Sequence, residues 1–385
     1  MQVKVNVSTV VIDWIMTQID LDSISTTVKD NLIAWQKGIK QPTYNQIEAA
    51  SKSTGIPFGY FFLQTPPTED LSLIEYRTVD SKELLTPSRE LLDTIHYLEE
   101  IQDWAKNDVL SNGGSKLQFV GKFKNTTDIN EIVTDIRKTL NISIDWFKKQ
   151  KNTDSAFNYI RDAISKSGVI VMINGIVGNN THRPLSIEEF RAFAIVDDIA
   201  PVIFVNSNDS RGAKLFSLLH EFVHVCIGQN SLFNAPTMNS NVSRIEQICN
   251  AVAAEILVPS VIFIEKWKDE NDNTESKIKV LTRYFKCSEL VIARKALDKE
   301  FITPETYKKI SDIAKENYIL YKKHQKVSSG GNFYNTLSSR IDSVFFNRLL
   351  ASLYEGKTQY SEAFKLTNTN RSTFSEMVNK AGGVV

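Results

Sequence analysis

Leu215-Phe216-Ser217-Leu218-Leu219-His220-Glu221-Phe222-Val223-His224-Val225-Cys226-Ile227-Gly228 decides the reading of this chain. The stretch contains no proline and closes on a glycine, the residue that most easily takes the left-handed turn ending a helix. It is apolar nearly all round, as a buried helix is. On a helix, residues four apart share a face about one turn apart. His220 and His224 can therefore bind one zinc ion through neutral imidazoles. Glu221, beside the first of them, can hold the ion's water, act as general base and pass the proton to a leaving nitrogen. Two histidines merely packed in a core helix are the alternative, and the apolar flanks favour it. With only five histidines in 385 residues, however, this spacing is rare by chance.

A catalytic zinc site needs a third protein ligand and an open position. The next helical stretch, 243–258, offers Glu246 and Glu255. Nine residues apart, they point to opposite faces of one helix, so only one can face the zinc. Asn250 lies four residues after Glu246, on its face, where it can orient a ligand histidine as an outer-shell partner. Glu246 is therefore the expected ligand and Glu255 a structural acid. Ser243-Arg244-Ile245-Glu246 also reads as a capping box. Cys226 and Cys249 lie near the ligands in sequence and could approach the zinc, although small buried apolar residues are the simpler reading. His182 or a tyrosine is conceivable as an oxyanion donor. Pro201-Val202-Ile203-Phe204-Val205-Asn206, just before the site helix, reads as a strand. It is either an ordinary core strand or one whose edge a peptide substrate could join.

Further outward, helical spacing marks 88–106, 128–149, 152–166 and 275–315, and Val169–Ile173, Phe190–Ile195 and Val202–Val205 read as strands. Strands first and helices after indicate an α+β core. Thr65-Pro66-Pro67-Thr68 and Val327-Ser328-Ser329-Gly330-Gly331 read as linkers. Lys+Arg and Asp+Glu balance at 45 each, so any DNA contact must come from a local patch. Three scattered cysteines fit a reducing cytoplasm. Asp13 interrupts the first apolar stretch, which argues against a signal peptide, and no run has the length of a membrane span.

Arg191-x-Phe193, Ala200–Asn206, Phe216-Ser217-Leu218-Leu219-His220-Glu221-x-x-His224 and Glu246-x-x-x-Asn250-x-x-Ala253-Ala254-Glu255-Ile256-Leu257-Val258-Pro259 together resemble the ImmA/IrrE family of metallopeptidases, over about residues 150–262. The resemblance implies a zincin-like fold, a zinc cofactor, and cleavage or inactivation of a repressor in phage, mobile-element, stress or defence circuits. By position it carries over His220, Glu221, His224 and Glu246.

The N-terminus resembles the helix-turn-helix of XRE-type regulators through Ile33-x-Trp35-Gln36-x-Gly38, Gln41-Pro42-Thr43, Ile47-x-x-Ala50 and Gly55–Phe62. Lys29, Asn31 and Lys37 are then the DNA-contact candidates. Asp22–Val28 is short for the usual second helix. Residues 1–65 also carry five lysines against five acids, which gives little phosphate affinity. A module docked on the peptidase fits these residues equally well. Residues 358–378 suggest a second helix-turn-helix, but a packed helical hairpin suits them better.

The expected organisation is an XRE-like domain at 1–65, a helical connecting region at 66–150, a zincin-like core at 151–265, a helical extension at 266–326 and a C-terminal helical region at 327–385. The expected activity is that of a cytoplasmic zinc endopeptidase cutting a regulatory protein partner. The alternative is an antitoxin or transcriptional regulator that binds a toxin through the peptidase-like fold without cutting it.

Overall fold

A computed structural model describes residues 4–19, 21–22, 24–67, 87–233, 244–269, 273–325 and 339–380. Both expected linkers run into stretches outside these residues, as does Ser243 of the expected capping box. The chain divides into two units, with the division falling between Ile95 and His96.

The first unit is helical. Helices α1 (Thr9–Thr17), α2 (Thr26–Gln36) and α3 (Tyr44–Thr54) are followed by a 3-10 turn at Phe58–Phe62. They close on Val11, Ile12, Ile15, Leu32, Trp35, Ile47 and Phe61. Local chemistry sets the ends. Ser25 caps α2, Thr43 and Gln46 form a reciprocal capping box on α3, and Gly55 ends α3 at φ 75°. The described residues between α1 and α2 form no helix. Lys29 gives its ammonium to Asp22 at 2.7 Å. Asn31 is half-buried, and Lys37 is exposed just past the end of α2.

The second unit is mixed α and β. Helix α4 (Arg89–Ser111) enters it from His96 onward, followed by α5 (Ile129–Thr139) and α6 (Thr153–Lys166). Helix α5 stops short of the expected 149 because Asn141 takes φ 52°, and a 3-10 turn at Trp146–Lys149 follows. Strands β1 (Ile170–Asn174), β4 (Ala192–Ile195), β5 (Val202–Asn206) and β6 (Ser231–Phe233) form one sheet in the order β1-β5-β4-β6. Between β1 and β4, β2 (Ile176–Val177) and β3 (Asn180–Pro184) form a separate hairpin.

Strand β5 is parallel to β1 and antiparallel to β4, and buried on both faces. Both its edges are taken, so it is a core strand and no peptide can add to it. On the outer side of β1, the Val171 N–H donates to Asp342 and the Val171 carbonyl accepts from Arg161. Among the described residues, β6 has no strand on its outer side.

Helix α7 (Arg211–Ile227) packs against α6, β4, β5 and β6. Ser210 caps its start and Gly228 ends it at φ 82°. Its last carbonyls, which a helix leaves unsatisfied, accept N–H groups from a neighbouring loop: Gly121 to Val225 at 3.1 Å and Phe123 to Cys226 at 3.0 Å. Helix α8 (Arg244–Leu257) lies on α7 and α5. Beyond it come α9 (Ser260–Asp269), α10 (Thr274–Phe285), α11 (Glu289–Asp298) and α12 (Pro304–Gln325). One continuous apolar cluster runs from Phe123 to Ile302, across residues 150 and 265.

The C-terminal helices α13 (Ser343–Tyr354), α14 (Tyr360–Leu366) and α15 (Arg371–Lys380) belong to the second unit. Phe346 and Phe364 both pack on Phe374. Asp342 caps α13 and binds Ser165, and Tyr97 donates to the Leu366 carbonyl at 2.8 Å. No single described helix is long and apolar enough to cross a membrane.

Candidate metal centre

Helix α7 brings His220 and His224 to one place, and the first turn of α8 brings Glu246 to the same place. His220 Nε2 lies 3.2 Å from Glu246 Oε2, His224 Nε2 lies 3.1 Å from Glu246 Oε1, and the two Nε2 atoms are 3.1 Å apart. A tetrahedral zinc with ligands at about 2.0–2.1 Å sets its donor atoms about 3.3–3.4 Å apart. The observed separations are within a few tenths of an ångström of that edge, although the two histidines meet different oxygens of Glu246, so the three side chains converge on one place at a spacing a metal ion could bridge. Two imidazoles and one carboxylate are also the right donor chemistry for zinc. No other group of possible ligands is so disposed among the described residues.

Burial gives the site its electrostatics. His220 and His224 are buried, whereas the Glu246 side chain keeps 18% of its exposure, so the site opens to solvent on the Glu246 side. Burial pushes His220 down. Burial would push His224 down as well, but contacts with Cys249, Glu246 and Glu221 raise it well above the ordinary imidazole value. Glu246 is held far below the carboxylate range, because its contacts with both imidazoles outweigh its burial. Metal binding requires neutral imidazoles and releases protons.

One face of α8 serves both histidines. Glu246, Cys249 and Asn250 are three and four residues apart and so point the same way. The carboxylate meets both Nε2 atoms, with Asn250 beside His220 and Cys249 beside His224. Cys249 thus touches a ligand candidate, while neither Cys249 nor Cys226 joins the ligand cluster. Burial raises both thiols. Glu255, on the other face, accepts the Ser260 N–H at 2.8 Å and the Ser260 hydroxyl at 2.7 Å, and pairs with Lys295 at 2.5 Å. It caps α9 and ties α8 to α11. His182 stands exposed on β3, outside the ligand cluster.

Glu221 is fully buried. Its Oε2 accepts the hydroxyl of Ser231, the first residue of β6, and its Oε1 has no hydrogen-bond partner among the described residues. Burial pushes this carboxyl up to about 7, against the pull of His224 and Ser231. Sequence reasoning missed Ser231. It lies past the end of α7 in a three-residue strand, too short to show an alternating pattern.

No curated protein and no solved structure gives a significant match to the chain. Residues 341–380, which hold helices α13 to α15, match a domain of unknown function, DUF8813. Residues 172–297, from β1 through α11 and including all three ligand candidates, match the family model of the IrrE N-terminal-like domain, Peptidase_M78.

Proposed function

We propose that the chain is a zinc-dependent endopeptidase of the cytoplasm that cuts a regulatory protein partner, such as a repressor or a toxin-linked protein. The observation that carries this reading is the convergence of two imidazoles and one carboxylate, with each Nε2 within 3.2 Å of a Glu246 oxygen and the two Nε2 atoms 3.1 Å apart, the donor set a catalytic zinc takes. When bound, zinc supplies a Lewis acid that polarises a carbonyl and makes water more acidic. The remaining work falls to the chain's own residues. His220 and His224 hold the ion as neutral imidazoles, with Asn250 and Cys249 against their rings. Glu221 offers its free Oε1 as the base that takes a proton from water and returns it to the departing amine. Its carboxyl, pushed up to about 7, suits both halves of that task. Among the described residues no strand lies on the outer side of β6, and the backbone groups there are ones to which an extended peptide can pair. Buried thiols at Cys226, Cys249 and Cys287 suit a reducing compartment.

The test is co-expression with the product of the neighbouring gene. The wild type should bind about one zinc per chain, as a single three-ligand site requires, and cut the partner. Glu221→Gln should keep the zinc and leave the partner whole. If the wild type forms a stable complex with an intact partner, the non-cutting, antitoxin-like reading replaces this one.

A further inference from the structure

We propose that Ser231 is the positioning residue for Glu221: its hydroxyl fixes one carboxylate oxygen so that the other faces the metal centre. The proposal rests on the zinc-peptidase reading of the site. Three observations support it. Ser231 donates to Glu221 Oε2, and no other hydrogen bond holds that carboxylate among the described residues. Ser231 is itself held in place. Its backbone stands opposite Ala194 in the β4–β6 ladder, and the preceding Asn230 accepts the Val196 N–H with its side chain. Glu221 Oε1 is left buried without a partner among the described residues. Native proteins rarely leave a buried polar atom unsatisfied, and those that do usually have a ligand or water to complete it.

A glutamate has three side-chain torsions, and its position on α7 alone does not choose among them. Helix and strand together do so here, since the donor sits on the sheet and the acceptor on the helix beneath it. Ser231 thereby couples the strand β6 to the base.

The test uses the zinc-loaded full chain and acetohydroxamic acid as probe. This small molecule chelates a catalytic zinc and hydrogen-bonds the carboxylate beside the first ligand. Its Kd is measured by calorimetry, with zinc content and zinc affinity measured in parallel. Ser231→Ala should weaken the hydroxamate about tenfold, the loss expected for a misaligned charge-assisted hydrogen bond, with zinc retained. Ser231→Thr and Ser231→Val have nearly the same shape and differ in the hydroxyl, so Thr should restore binding and Val should not. In a Glu221→Gln background, Ser231→Ala should have no further effect, because Ser231 acts only through Glu221.

Hydroxamate binding that is weakened by Glu221→Gln but unchanged in Ser231→Ala and Ser231→Val would overturn the role of Ser231 alone. Binding unchanged even in Glu221→Gln, or no zinc in the wild type, would overturn the reading of the site and this inference with it.

Discussion

Gly228→Ala should destabilise the second unit by about 2–4 kcal/mol, and the magnitude follows from two separate costs. Gly228 closes the site helix at φ 82°, where an alanine is worse than glycine by about 1 kcal/mol. The new Cβ would also stand 2.7 Å from the Cα of Gly121. Carbon atoms in contact prefer about 3.5–4.0 Å, so the Gly121 backbone would have to retreat by about 1 Å. That loop donates two hydrogen bonds to the end of α7, at 3.1 Å and 3.0 Å. A shift of this size weakens both, at about 1 kcal/mol each. Gly356 is the control. Its φ is 71° and nothing lies within 4 Å of an added Cβ, so Gly356→Ala should cost only about 1 kcal/mol. Hydrogen exchange read by mass spectrometry measures the second unit separately from the first. The damage should also reach the metal, since the His224 carbonyl accepts the N–H groups of Gly228 and Gln229. Zinc affinity should therefore fall in Gly228→Ala and hold in Gly356→Ala. Equal destabilisation by the two substitutions would show that the contact with Gly121 does not brace the site helix.

Two further substitutions separate ligand support from scaffold. Asn250→Ala should lower zinc affinity about 10- to 100-fold, as loss of a group orienting a ligand histidine does, and an unchanged zinc Kd would remove Asn250 from that role. Glu255→Gln should leave zinc binding alone but cost about 2–4 kcal/mol at neutral pH, because the largely buried Lys295 loses its counter-charge. Burial pushes the Glu255 carboxyl up, yet Lys295 and Ser260 pull it net below its ordinary value. Its contribution is then complete above the unfolded glutamate pKa of about 4.3 and is lost as the pH falls through the lower folded value. Urea titrations across that range should show the wild type losing its advantage over Glu255→Gln as the solution is acidified; a constant gap would refute the linkage.

What the sequence reveals and what it conceals divides by range. The two site helices were legible because their determinants are local: a four-residue histidine spacing, a closing glycine, and a glutamate–asparagine pair on one face. Pairings between distant segments were not. Strand β5 reads as apolar throughout, and only its neighbours reveal that it lies inside the sheet. Strand β6 has three residues, and the β2–β3 hairpin carries the polar run Asn180-Thr181-His182-Arg183-Pro184, which lacks the alternation that marks a strand. The Lys29–Asp22 pair joins the first turn of α2 to a residue seven positions earlier, before the helix begins, where helical spacing does not apply. The role of Ser231 depends on where a strand lands against a helix, which no local pattern records.

The two acids of α8 show why the site needs this much scaffold. Glu246 stands in the first turn and Glu255 in the last, on opposite faces. Glu246 draws the start of α8 toward the histidines of α7, through contacts that keep the carboxylate anionic. Glu255 draws the end of the same helix toward α9 and α11, through Ser260 and Lys295. A helix anchored at only one end can pivot about that end, and a pivot of a few degrees at Glu255 moves Glu246, about 13 Å away at 1.5 Å per residue, by about 1 Å. A metal ligand has about 0.2 Å of tolerance. The ion pair at the far end therefore does for the ligand what the loop at Gly121 does for the histidines, holding the helix axis so that three side chains from two helices meet at one point.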